Sequence, residues 1–338
     1  MIRIIVALAA VLTAAWVGNN WIQVTKFKVM YNAAAPTAPA SPGSAGTEVA
    51  AADPEAAGAP AGRSDAGSAP EAPGLRILQI SDLHGKRFGF GARRLLRRID
   101  RLDYDIIAIS GDFITGGMFP HGLKNALRLA EELTGRAPVY YVTGNHEASS
   151  PQFPHLEAGL RALGATVLRA DATTISVRGR AYTILGLDDQ RFFEEDPGGR
   201  ARSSRRNREA EARALARYTV ALEELAATAA GGAPTDPSAP APTSVPRILV
   251  SHRPEILHLY AAAEMDLVLT GHVHGGQFRI PGVGGLFAPD QGFFPRFDAG
   301  VFHDKRTTMV ISRGLGGSII PVRIFNRPEL VLIELAEG

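Results

Sequence analysis

With 338 residues, 45% of them hydrophobic, the chain is long enough for one large or two ordinary domains around a substantial core. It has no cysteine, which excludes disulfides, thiolate metal sites and thiol nucleophiles. A net charge of +2 with scattered arginines provides no broad basic field and argues against nucleic acid as a partner.

Arg3 precedes an apolar run from Ile4 to Val17, shorter than the roughly 20 residues a spanning helix needs. Trp16 and Trp21 stand where interfacial anchors would, so residues 1–20 read as a membrane anchor. The alternative is a signal segment cut near Ala15. Arg3 favours an N-terminus inside, and Lys26 and Lys28 favour a following domain inside, which leaves the side of the membrane open. Residues 33–74 are rich in Ala, Pro, Gly and Ser and carry no aromatic. Such a segment cannot offset its ordering entropy and is expected to be disordered.

From Leu75 onward, strand-like runs alternate with helical ones. The strand candidates are LRILQIS (75–81), DIIAIS (105–110), VYYVT (139–143), AYTILGL (181–187), RILVSH (247–252), MDLVLTGH (265–272), TTMVIS (307–312) and ELVLIEL (329–335). Helices are expected over 92–102, 122–133, 154–163 and 254–263, and the alternation is that of an α/β protein with buried strands. An insertion over 191–246 interrupts it. There a helix from Arg205 to about Ala227 presents a solvated, mixed-charge face with a basic start, and a Pro/Ala-rich exit follows. The basic start is also a candidate contact for anionic lipid headgroups.

The polar residues gather at the strand ends. Asp82 and His84 follow the first of these runs, Asp112 the second, and Asn145, His146 and Glu147 the third; His252 follows RILV, and His272 and His274 follow MDLVL. The carboxyl ends of strands are where open α/β sheets place their ligands. Taken singly, an Asp or Asn there is usually a turn or cap, and a lone His a hydrogen-bonded loop residue. Five clusters at the same end of successive strands exceed that account. Carboxylate, amide and imidazole donors without sulfur suit Mn, Fe, Zn or Mg. Seven donors are too many for one tetrahedral ion and fit two ions sharing a carboxylate, a pair that can activate water and clamp a phosphoryl oxygen.

The ordered set DLH, GD, GNHE, SH and GHVH, spread over Leu75 to Glu337, resembles the five-motif pattern of the calcineurin-like metallophosphoesterases. The segments GGQFRIPGVGGLFAPDQGFFPRFDAG and RGLGGSIIPVRIFNRPELVLIEL further resemble a bacterial subgroup that carries an N-terminal membrane segment or export signal. It includes phosphodiesterases and UDP-2,3-diacylglucosamine pyrophosphatases of lipid A synthesis. The resemblance implies an α/β fold of two facing mixed sheets flanked by helices, with 21–32 holding its first strand and 33–74 inserted before the remainder, 75–338. It implies two divalent ions, Mn foremost: Asp82, His84 and His274 on one, Asn145, His252 and His272 on the other, and Asp112 bridging. His146 would be the catalytic histidine. Glu147 would either orient that imidazole or cap the following helix.

Two enzymatic readings follow. One is a hydrolase at the bacterial cytoplasmic membrane that cleaves a phosphodiester or pyrophosphate of a lipid-linked nucleotide. Phe287, Phe293, Phe294 and Phe297 would then face lipid, although ordinary packing under a loop explains them equally. The other is an exported phosphodiesterase or phosphatase acting on nucleotides or envelope polymers. A non-catalytic binding module would be marked by a lost ligand, and none is lost.

Overall fold

The structure, a computed structural model, describes residues 18–31, 74–115, 122–195, 205–230, 245–317 and 322–338. The expected anchor, apart from its last three residues, and nearly all of the 33–74 segment lie outside them. Among the described residues, no helix is long and apolar enough to cross a membrane.

Twelve strands form two sheets. In the first, the order is β1 (Gln23–Tyr31), β16 (Glu329–Glu337), β2 (Leu75–Ile80), β3 (Ile106–Ser110), β4 (Val139–Val142) and β5 (Thr166–Val167). From β2 to β5 the strands are parallel; β16 is antiparallel to β2, and β1 is parallel to β16. In the second, the order is β14 (Gly300–Asp304), β15 (Thr307–Ile311), β9 (Leu267–Thr270), β8 (Arg247–Val250), β7 (Arg180–Gly186) and β6 (Asp171–Val177). Its four inner strands are parallel and both edge strands antiparallel. Two short hairpins follow β9: β10 (Arg279–Ile280) with β11 (Gly284–Gly285), and β12 (Phe287–Ala288) with β13 (Gly292–Phe293).

Side-chain alternation explains the layering. One face of the first sheet, with Leu78, Ile80, Ile107 and Ile109, packs on helices Arg93–Ile99, Gly122–Thr134 and Phe153–Ala162. Its other face meets the second sheet through Ile77, Ala108, Val142, Ile184, Val250, Leu269 and Val331. Strands buried on both faces read as unbroken apolar runs, which is why they were visible in the sequence.

The helix expected inside an insertion has a larger part in the fold. Arg205–Ala230 lies on the outer face of the second sheet, and its Tyr218, Leu222 and Leu225 are buried with Leu249, Val268 and Met309. The Tyr218 hydroxyl lies 3.1 Å from Ser251 Oγ, so this helix braces the residue just before His252. The solvated face is real, but the opposite face completes the core.

The edge strand β1 pairs with β16 over nine residues, from Gln23 opposite Glu329 to Tyr31 opposite Glu337. Because β16 runs against β2, β1 enters the sheet at the end where β2 finishes. Proteolytic cuts within 33–73 should therefore leave the N-terminal fragment bound to the domain under native conditions. Separation of that fragment on gel filtration without denaturant would contradict the ladder.

Candidate metal centre

Five loops leave the carboxyl ends of β2, β3, β4, β8 and β9 and converge on one point. The turns are tight: Asp82, His84, Asp112, His272 and His274 all have φ between 49° and 70°. Left-handed backbone at non-glycine residues costs roughly 1–3 kcal/mol each. The surrounding bonds hold it in place. His272 N donates to Asp82 Oδ1 (3.0 Å), His146 N to Asp112 Oδ1 (2.8 Å), and Asp82 N to Gly111 O (3.0 Å). Two glycines allow this approach. A Cβ on Gly144 would lie 2.2 Å from Asp112 Oδ1, and one on Gly271 would lie 1.9 Å from Ser81 Oγ.

The side chains turn inward. Donor atoms of Asp82, His84, Asp112 and His274 lie within 4.8 Å of one another, as do those of Asp112, His252 and His272, so Asp112 belongs to both groups. Its Oδ2 lies 3.7 Å from His84 Nε2 and 3.4 Å from His252 Nε2. Asn145 Oδ1 is 3.2 Å from His252 Nε2, and the Nε2 atoms of His84 and His274 approach to 3.1 Å. His252 Nδ1 lies 2.8 Å from Ser110 O, an acceptor, so that nitrogen carries a proton and Nε2 is the atom turned to the centre, available to a metal once its own proton leaves. His146 Nε2 stands at the margin, 4.0 Å from Asp112 Oδ2, and its side chain is 27% exposed.

Residues 75–276, which carry all five loops, match the family described as calcineurin-like phosphoesterase. The chain belongs to this family. It is 26% identical over 268 residues to Phosphodiesterase YaeI of Escherichia coli (strain K12), covering 77% of this chain and 82% of that one. It is 25% identical over 290 residues to the UDP-2,3-diacylglucosamine pyrophosphatase LpxG of Chlamydia muridarum, covering 77% and 83% respectively. Among solved structures, TT1561 of Thermus thermophilus aligns with a TM-score of 0.41 and 16% identity over 72% of this chain and 90% of that one. As a metallophosphoesterase, the protein is a metal-dependent hydrolase of phosphoester bonds.

The electrostatics of this phosphoesterase's centre fit divalent ions. Burial drives the His84 imidazolium down to about 3 and pushes that of His274 well below its usual range, so both rings are neutral donors. Burial also opposes a charge on His252, but Asp112, with Asp82 and Asp189, outweighs it and raises that ring to about 10. Burial likewise works against the Asp112 carboxylate, and His252, His146 and His84 overcome it to hold it well below the ordinary range. His252 thus occupies part of the place a cation would take beside Asp112. Deprotonated imidazoles and carboxylates are the form in which these groups bind metal.

Glu147 has a different task from the ligands. It is 1% exposed; its Oε2 accepts the N–H groups of Gly144 (2.7 Å) and Asp112 (2.9 Å), and its Oε1 accepts that of Ile114 (3.0 Å). The carboxylate caps the short helix Asn145–Ala148 in which it lies, and it also ties the loop after β4 to the loop after β3. Glu147→Gln retains a single acceptor oxygen and turns an amide N–H toward a backbone donor. It should lower stability by about 1–3 kcal/mol. A denaturant midpoint equal to that of the parent protein would refute this role.

Sequence reasoning missed several neighbours. Asp290, in the turn between β12 and β13, places Oδ2 3.0 Å from His272 Nε2 and 2.7 Å from Arg253 Nη1. Arg253 also holds the buried Asp189, and the fully buried Arg323 sets Nη2 3.3 Å from His274 Nδ1. Asp290 lies 16 residues beyond His274 with no periodic relation to it, so only the folded hairpins reveal the contact. Of the four phenylalanines after the metal loop, Phe297 is buried against Phe302, whereas Phe287, Phe293 and Phe294 are exposed.

Proposed function

We propose that the centre holds two divalent ions, Mn before Fe, Zn or Mg, and hydrolyses a phosphodiester or pyrophosphate bond. The observation that carries this reading is Asp112, the one carboxylate common to both donor groups. Asp82, His84 and His274 complete the first site, and Asn145, His252 and His272 the second. Ions so placed supply Lewis-acid activation of water and neutralise charge on the phosphoryl oxygens. The chain's own contribution is orientation. His146, on the open side, is placed to stabilise the phosphoryl group or to give its proton to the leaving oxygen.

The favoured substrate is a lipid-linked nucleotide such as UDP-2,3-diacylglucosamine, with the protein held at the cytoplasmic membrane by residues 1–20. The likeness to LpxG and the exposed phenylalanines beside the centre support this. The likeness to YaeI supports a second reading, a phosphodiesterase acting on another phosphodiester, exported or anchored. Purified protein with Mn²⁺ should release UMP from UDP-2,3-diacylglucosamine, and chelation should abolish release until metal is restored. Turnover of bis-p-nitrophenyl phosphate without any UMP would rule out the lipid substrate and leave the second reading.

A further inference from the structure

Topology brings the N-terminal entry of the chain to the metal end of the molecule. Gln23 pairs with Glu329 and Val331 with Gln79, so β1 begins level with the carboxyl end of β2. The same rim carries the loop after β2, the hairpins after β9 and the described parts, 313–317 and 322–328, of the connection before β16. Leu315 N donates to Ser81 O, which fastens that connection beside the metal loops. The residues just before β1 are fixed to it as well: Lys86 Nζ donates to Asn19 O (2.6 Å) and Arg94 Nη2 to Asn20 Oδ1 (2.9 Å).

This rim is where the apolar surface lies. Among the described residues, eleven large hydrophobic side chains are exposed, and only Met30 and Val220 lie elsewhere. Trp21 (53% exposed), Phe90 (82%), Ile324 and Phe325 (70%) surround the chain's entry. The hairpins add Ile280, Val283, Phe287, Phe293 and Phe294. Exposure so concentrated marks an interaction surface and not scattered side chains. Arginines accompany it: Arg327 lies over the Trp21 ring at 5.6 Å, Arg93 over Phe90 at 5.6 Å, and Arg296 over Phe297 at 5.0 Å. The exposed Asp290 is already held by Arg253 and His272.

We propose that this rim is the face on which the folded domain rests against a bilayer with anionic headgroups, so that the metal centre opens toward the lipid. The choice of a membrane as occupant rests on what reaches the rim. The described chain begins there at Gly18, directly after the fourteen-residue, largely apolar run Ile4–Val17, which is several short of the roughly 20 residues that span a bilayer core. A run that falls short is accommodated by thinning of the bilayer and snorkelling of its flanking residues, which keeps those flanks close to the headgroup layer. Aromatic rings paired with arginines are the side chains that layer accommodates, with the guanidinium groups toward phosphate. The proposal rests on the anchor reading of residues 1–20 and is independent of which phosphoester is cleaved.

Tryptophan fluorescence tests it in the full chain, which has two tryptophans, Trp16 and Trp21. In a Trp16→Phe/Trp21→Phe background, Phe90→Trp, Phe325→Trp and Val220→Trp each give a single reporter. On phosphatidylcholine/phosphatidylglycerol vesicles, the reporters at 90 and 325 should shift to the blue and lose most of their emission to brominated acyl chains. The reporter at 220 should do neither, and the effect should weaken without phosphatidylglycerol. If the protein floats with vesicles while the reporters at 90 and 325 stay solvated, the rim proposal fails and the anchor stands. If it does not float, both fail. A blue shift that grows with protein concentration in the absence of lipid assigns the rim to a second copy of the chain and overturns the proposal.

Discussion

Asp112→Asn is expected to lower kcat/KM on bis-p-nitrophenyl phosphate by at least about a thousandfold, some 4 kcal/mol of transition-state stabilisation. The substitution preserves shape and most hydrogen bonding but removes the charge both donor groups share. A neutral amide offers a single oxygen and cannot offset the two dications proposed for a site where Asp112 is 1% exposed. The loss should therefore appear first in metal content, with less than half the parent's bound metal by elemental analysis after gel filtration. His252 offers a second readout. Its elevation to about 10 owes most to Asp112, so the variant's His252 should titrate lower, which NMR of the metal-free protein would follow. A variant that keeps both its metal and its activity would remove Asp112 from the bridging position.

His146→Ala should divide the two properties that Asp112→Asn loses together. The imidazole is not in either donor group, and its side chain is 27% exposed where those of His84, Asp112, His252, His272 and His274 are 5% or less. Metal content should stay near that of the parent while kcat falls by about a hundred- to ten-thousandfold, the range for loss of a positioned proton donor. The deficit should shrink for a substrate whose leaving group needs no proton, such as a p-nitrophenyl ester, relative to an alkyl or sugar phosphodiester. Equal losses on both substrates would limit His146 to stabilising the phosphoryl group. Loss of metal in parallel with activity would make it a ligand.

The site was legible because its chemistry recurs at one structural address. Asp82, Asp112, Asn145, His252 and His272 each follow an apolar run, and buried parallel strands announce themselves as such runs. The two-sheet layering and the opening strand came from family resemblance, since nothing within Gln23–Tyr31 says that its partner is Glu329–Glu337, some 300 residues away. Edge and hairpin strands were hidden for another reason. β6 alternates exposed with half-buried residues, and β10 to β13 have two residues each, too few for any period. The helix Arg205–Ala230 read as a solvated insertion because Ala, Arg and Glu make up most of its composition, yet Tyr218, Leu222 and Leu225 form a stripe at spacings of four and three. Glu147 was ambiguous for lack of distances, and the structure sets its carboxylate on three backbone amides.

The opening strand also has a mechanical meaning. A pull directed along the axis of β1 would act on a strand that lies parallel to β16 over nine paired residues. Force in that direction loads the ladder's hydrogen bonds in shear, all together, whereas a pull across the strand would break them one at a time. Its partner β16 is itself hydrogen-bonded on the far side to β2 and sits inside the sheet. Load applied at this end is thus shared between the β1–β16 ladder and the bonds from Lys86 to Asn19 and from Arg94 to Asn20, so the entry of the chain and the loop after β2 are mechanically joined.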